Sequence, residues 1–134
     1  FAEAFAQVTR ERERESRRLQ NLRDEFAREL IAQIPNVVVN GDLKRALPHM
    51  LNVSLPGIQS EYVTLSLDRA GIAISTKSAC AEGTAGRSHV VHALGGEDWR
   101  AAHTLRFSLG RSTTAGALAR ARRARVDIFQ KIKR

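Results

Sequence analysis

Gly71-Ile72-Ala73-Ile74-Ser75-Thr76-Lys77-Ser78-Ala79-Cys80-Ala81-Glu82-Gly83-Thr84-Ala85-Gly86 decides how the rest of the chain is read. Its first four residues form an apolar run that predicts a short strand. The run then breaks into small and polar residues with the sole cysteine at their centre. Beyond it, Ser88-His89-Val90-Val91-His92-Ala93-Leu94-Gly95 predicts a short helix. Cys80 thus falls near the start of a strand-to-helix loop of about eight residues, made flexible by Gly83 and Gly86. Such a loop can carry a thiol from one place to another, whereas a packed strand cannot. Two readings of the thiol stand on composition alone: a small buried hydrophobe, or an accessible nucleophile. A lone cysteine forms no internal disulfide, and no C-x-x-C pair for redox chemistry or zinc is present.

Working outward, residues 1–33 predict one long helix. Phe1, Phe5, Val8, Leu19, Leu22, Phe26 and Leu30 share a face at helical spacing, and neither proline nor glycine interrupts them. Arg12 and Glu15 break that stripe, so the helix is expected to leave one core, cross solvent and enter another. Glu13 precedes Arg17 by four residues, the favourable order for a helical ion pair. Pro35 ends the helix, because the residue before proline is pushed out of the helical region. Val37-Val38-Val39 predicts a strand, Asn40-Gly41-Asp42 a turn, and Leu51-Asn52-Val53-Ser54-Leu55 a strand with one buried face. Ser60 is placed to cap a helix with Val63, Leu65, Leu67 and Ala70 inward, and Gly71 stops it. After the loop, Asp98–Ala102 predicts a further helical turn and Thr104-Leu105-Arg106-Phe107-Ser108-Leu109 an alternating strand. Thr113 or Thr114 caps a last helix facing inward with Leu118, Ala121, Ile128 and Ile132. The expected fold class is α/β (α+β): a small, mostly antiparallel sheet of three to four strands packed by helices, after a long connecting helix.

With 134 residues the chain has room for one modest core. No apolar run approaches the length needed to cross a membrane, and one unpaired cysteine suits a reducing, cytoplasmic setting. A first residue of Phe1, inside a helical pattern, suggests a piece of a longer protein. The net charge of +8, from 22 basic and 14 acidic residues, is concentrated toward the last helix. A basic patch of this kind attracts nucleic acid, but with aromatic residues at 5% no stacking platform is apparent, and a solvated helix face is the plainer reading.

Chemistry-bearing residues are few. His89 and His92 lie near one another on a helix, yet no carboxylate or thiol stands at ligand spacing, so no metal site is expected. No nucleophile elbow, phosphate loop or dinucleotide fingerprint is present. Cys80 and Arg106 remain. On an alternating strand, Arg106 points away from Leu105 and Phe107 and to the side of Thr104 and Ser108. There it is either a solvated or ion-paired residue, or a planar fork that grips a carboxylate with two parallel hydrogen bonds.

Leu51-Asn52-Val53-Ser54-Leu55-Pro56-Gly57, Ser78-Ala79-Cys80, Ala93-Leu94-Gly95 and Leu105-Arg106-Phe107-Ser108-Leu109-Gly110-Arg111-Ser112-Thr113-Thr114 together resemble the cysteine desulfurases, of the class V aminotransferase group of pyridoxal-phosphate enzymes. The resemblance spans nearly the whole chain and corresponds to the C-terminal small domain, residues 34–134, with the interdomain connecting helix, residues 1–33. It implies that Cys80 is the catalytic nucleophile, which takes sulfur from L-cysteine as a persulfide and leaves L-alanine. It implies that Arg106 binds the substrate carboxylate. Sulfur would pass to acceptor proteins such as an iron–sulfur scaffold, or to transfer-RNA thiolation enzymes. Pyridoxal 5'-phosphate and most of a homodimer interface would belong to a large domain, with no cofactor-binding residue in these 134. Thr76-Lys77 stand where a Ser-Gly pair is common in the family. A selenocysteine-lyase type of activity, or a stand-alone basic docking module without catalysis, are the competing readings.

Overall fold

The computed structural model describes residues 1–76 and 87–132, the last eight of these by their backbone alone. Helix α1 covers Ala2–Gln33, and β1 is Val38–Val39. Strand β2 is Met50–Ser54 and α2 is Ser60–Arg69. Two short helices, α3 (His89–Ala93) and α4 (Asp98–Ala102), precede β3 (Thr104–Ser108), and α5 (Ala115–Ile132) closes the order. The sheet runs β1-β2-β3 and is antiparallel throughout, with Val53 opposite both Val39 and Leu105. The expected class, a small antiparallel sheet packed by helices behind a long first helix, is the one observed.

One face of the sheet carries the core. Leu51, Val53 and Leu55 from β2 and its end, with Leu105, Phe107 and Leu109 from β3 and its end, are all buried. They meet Phe26, Ala27, Leu30 and Ile34 from α1 and its end, Val63 and Leu67 from α2, and Ala121 from α5. Phe26 and Phe107 meet edge to face with ring centroids 5.1 Å apart, a favoured aromatic geometry. The first half of α1 stays outside: Phe1, Phe5 and Val8 are exposed, as expected for a helix that leaves this core. Glu13 and Arg17 pair at 3.6 Å on its solvated stretch. Ile34 leaves the helix in an extended conformation before Pro35, the conformation that proline imposes on its predecessor.

Four local expectations need correction. Ser60 is not the cap of α2: Gln59 holds that position, and the Ser60 hydroxyl reaches Ala102 O at 3.5 Å instead. Leu65 is 64% exposed, because two helical residues past Val63 lies about 200° around the helix from it. Ala70 is also exposed, at the C-cap. Ile72–Ile74 do not form a strand; only Ser75 makes a bridge, to Arg106. Gly71 does end α2, at φ +72°, where its N–H bonds Asp68 O. Ser88 caps α3 by accepting from Val91 N–H, and Thr114 rather than Thr113 accepts from Ala117 N–H at the start of α5. Ile128 and Ile132 were expected inward, but their side chains lie outside the described residues.

Candidate functional site

The second face of the sheet is polar, and it holds Arg106. Alternation along β2 and β3 brings Asn52, Ser54, Thr104, Arg106 and Ser108 to this side. The register places Asn52 opposite Arg106 and Ser54 opposite Thr104. Unlike an ordinary solvated sheet face, one end of it is buried: Ser54 is 0% and Thr104 2% exposed. Buried hydroxyls need partners, and a side-chain network supplies them. The Ser54 hydroxyl donates to Arg100 O at 2.8 Å, and that of Thr104 to Asn52 Oδ1 at 2.6 Å. Asn40 Nδ2 donates to Asn52 Oδ1 and to Ser54 Oγ, each at 2.6 Å. Arg100 Nε and Nη2 both donate to Asn40 Oδ1, at 3.0 and 2.7 Å.

Arg106 stands at the other end of this network and does not join it. Its backbone is engaged at the free edge of β3: Arg106 N–H donates to Ser75 O at 2.6 Å and Ser75 N–H to Arg106 O at 3.1 Å. Its side chain is half-buried, and its Nε is buried with no acceptor among the described residues. No carboxylate of a described residue pairs with it. A buried N–H without an acceptor costs roughly 1–3 kcal/mol, more when charged. A guanidinium presents its Nε–H and one Nη–H as a parallel pair, which fits a carboxylate.

Cys80 lies outside the described residues, as does Lys77. The backbone pair at Ser75 fixes where the segment that contains them starts: five residues before Cys80, directly against Arg106. Arg106 and Ser75 thus share one strand edge. His89 and His92 are exposed on α3, and His92 Nδ1 lies 3.9 Å from Asp98 Oδ1. Among the described residues no three His, Cys, Asp or Glu side chains are grouped to hold a metal ion. Lys44 is exposed in the turn after β1. No helix among the described residues is long and apolar enough to cross a membrane. Of the basic residues near the C-terminal end, Arg122 is paired with Glu29 at 2.9 Å, while Arg120 and Arg123 are exposed.

Sequence reasoning singled out Arg106 but treated Asn52 and Ser54 only as the polar half of an alternating strand. It also missed Arg18 and Arg23. Arg18 Nη1 donates to Thr113 O at 2.8 Å, and Nη2 to Gly110 O and Arg111 O at 3.2 Å, so α1 grips the turn that follows β3. Glu15 holds the same guanidinium by two bonds of 3.0 Å, and Arg111 pairs with Glu11. The hydrogen bonds from Arg18 hold the Glu15 carboxyl below the usual carboxylate range, partly opposed by burial and aided by the charges of Arg18 and Arg14.

The fold is thus a small antiparallel sheet packed by helices, with Arg106 at its edge beside Ser75. Comparison with known proteins gives the family. The sequence profile of the aminotransferase class-V family matches residues 1–120, and the chain belongs to that family. It is 34% identical over 131 residues to a putative cysteine desulfurase IscS 1 of Bacillus subtilis, covering 97% of this chain and 35% of the relative. It is 41% identical over 114 residues to a cysteine desulfurase IscS of Photorhabdus laumondii, covering 85% and 28%. Its fold matches a NifS-like protein of known structure with a TM-score of 0.81 at 22% identity, covering 96% of this chain and 32% of the other. The chain thus spans about a third of the length of the relatives it matches.

Proposed function

We propose that these residues are the small domain, residues 34–134, and the connecting helix, residues 1–33, of a cysteine desulfurase that converts L-cysteine to L-alanine and collects the sulfur on Cys80. The observation that carries the reading is Arg106: a guanidinium with a buried, unpartnered Nε, at the strand edge where the Cys80 segment starts. In this reading Arg106 binds the substrate carboxylate by a bidentate fork. Pyridoxal phosphate, held by the part of the relatives beyond the matched third, supplies the electron sink for breaking the substrate's carbon–sulfur bond. Cys80 attacks the substrate sulfur as a thiolate. A sulfur–sulfur bond forms and the carbon–sulfur bond breaks. Its electron pair stays with carbon, which takes up a proton and leaves as the methyl group of alanine. The sulfur is oxidised to the persulfide level as that carbon is reduced, so no external oxidant is required. The full-length protein is in this reading a cytoplasmic homodimer that passes its sulfur to acceptor proteins such as an iron–sulfur scaffold or a transfer-RNA thiolation enzyme.

The test is mass spectrometry of the full-length protein after brief exposure to L-cysteine. A gain of one sulfur on the peptide containing Cys80, lost on treatment with a reductant and absent in Cys80→Ala, is the expected result. Alanine formation without that mass gain overturns the assignment of Cys80.

A further inference from the structure

The polar network on the sheet has a direction, and it ends at a free donor. Arg100 has only N–H donors, so the atom of Asn40 that receives its two bonds must be oxygen. The amide nitrogen of Asn40 then faces Asn52, so the Asn52 atom that accepts from it must also be oxygen. The Thr104 hydroxyl donates to that same Oδ1, which fills both of its acceptor sites. The orientation of the Asn52 amide is therefore fixed at two removes by Arg100, and its Nδ2 is left without an acceptor among the described residues.

The backbone shows where that Nδ2 stands. Asn52 O accepts from Asn40 N–H, toward β1, while Arg106 bonds Ser75 on the opposite edge of β3. Neither residue spends its backbone groups on the other, so Asn52 and Arg106 form a non-hydrogen-bonded antiparallel pair. That is the closer of the two pair types, with Cα atoms about 4.5 Å apart and side chains in reach of each other on one face. The Arg106 guanidinium, whose Nε is buried without an acceptor, and the Asn52 amide nitrogen, which has no acceptor among the described residues, are thereby set side by side. An isolated pair of donors has no use for its neighbour; an anion with two oxygens satisfies both.

We propose that Asn52 is a second ligand of the carboxylate bound at Arg106: its Nδ2–H donates to one carboxylate oxygen and so helps select α-carboxylate substrates over neutral analogues. This rests on the reading of Arg106 above. The reciprocal network makes Asn52 a preset donor, since it neither has to rotate nor chooses between oxygen and nitrogen when substrate arrives.

The experiment measures dissociation constants by calorimetry in the full-length holoprotein, for L-alanine and for L-alaninamide, which replaces the carboxylate by a neutral amide. Asn52→Ala is expected to weaken L-alanine binding about tenfold or more, the value of a hydrogen bond to a charged group, and to change L-alaninamide much less. Asn52→Asp keeps both accepted hydrogen bonds and the side-chain size, and so keeps the fold. It replaces the donor by a negative oxygen and is expected to abolish the preference for L-alanine. Arg106→Ala is the control. If the unsubstituted protein shows no preference, or Arg106→Ala retains it, the reading of Arg106 fails and this proposal with it. If Arg106→Ala loses the preference while either Asn52 variant keeps it, the proposal for Asn52 alone is overturned.

Discussion

Replacing Arg23 by methionine should destabilise the chain by about 2–3 kcal/mol, although the residue touches no substrate. Arg23 is 0% exposed on α1. It donates to Leu47 O at 2.8 Å, to Leu43 O at 2.9 Å and to Ala46 O at 3.4 Å, and it pairs with Asp24. The bonds to Leu43 and Leu47 are well formed, and hydrogen bonds to a charged group contribute roughly 1.5–3 kcal/mol each, about 3–6 for the two. Two effects offset part of that. Residues 44–47 are exposed, so the abandoned carbonyls regain some water. Methionine also fills the space of the arginine stem without the cost of desolvating a guanidinium. A net loss near half the gross value follows. At roughly 3–4 °C per kcal/mol for a domain of this size, the melting temperature falls by about 6–12 °C. Arg23→Lys should recover little, because an ammonium cannot span two carbonyls as the fork does. Urea titration followed by circular dichroism gives the stability, and amide exchange at residues 43–47 shows whether the loop is what comes loose. A loss below about 0.5 kcal/mol, within the usual range for surface substitutions, would refute the claim that this buried fork anchors the loop.

Three further outcomes are expected. In the full-length protein, Arg106→Ala should lower kcat/KM for L-cysteine by roughly ten- to a few-hundredfold, with Arg106→Lys recovering little and melting temperature nearly unchanged; near-normal efficiency, or loss by unfolding alone, makes Arg106 structural. The 134-residue chain alone, mixed with pyridoxal phosphate, should leave the cofactor's absorption spectrum as that of the free aldehyde and release no sulfide from L-cysteine; a shifted band that vanishes on substituting one lysine contradicts this. Because the Glu15 carboxyl is held below its usual range, its contribution to the grip on the 110–113 turn is complete above about pH 4.3 and is lost as pH falls through the lowered folded value. Amide exchange in that turn, corrected for intrinsic rates, should be steady from pH 8 to 5 and quicken only in stronger acid. Quickening as pH is raised contradicts the sign.

How much of this was legible in the sequence depends on whether a residue's role is local. The long helix, its end before Pro35, the glycine stop after α2 and the two alternating strands all follow from spacing within one segment. Leu65 was misplaced because a run of apolar residues says less than the angle each occupies on a helix. Ile72–Ile74 are apolar enough for a strand, but only Ser75 reaches the edge of β3. Arg23 reads as solvated in any helical window. Its burial comes from three carbonyls twenty or more residues away. At the candidate site, alternation was enough to aim Arg106. Asn52 was not visible as a partner because pairing register and amide orientation are properties of two strands and a network, not of either stretch alone.

The anchoring of α1 also has a mechanical side. At 1.5 Å per residue the helix is about 48 Å long, and the stretch ahead of Arg18, from Ala2, reaches about 24 Å beyond that residue, with the Arg111–Glu11 pair tying it back to the turn that Arg18 grips. It is thus a lever whose fulcrum is the turn that follows the strand of Arg106. Tilting it by about 5° sweeps its tip through roughly 2 Å, by the same rise per residue. The same tilt strains the bonds from Arg18 to the carbonyls of Gly110, Arg111 and Thr113. Whatever holds Phe1, Phe5 and Val8 therefore has leverage on the position of the arginine four residues before Gly110, and a small rotation at one end is felt as a displacement at that guanidinium.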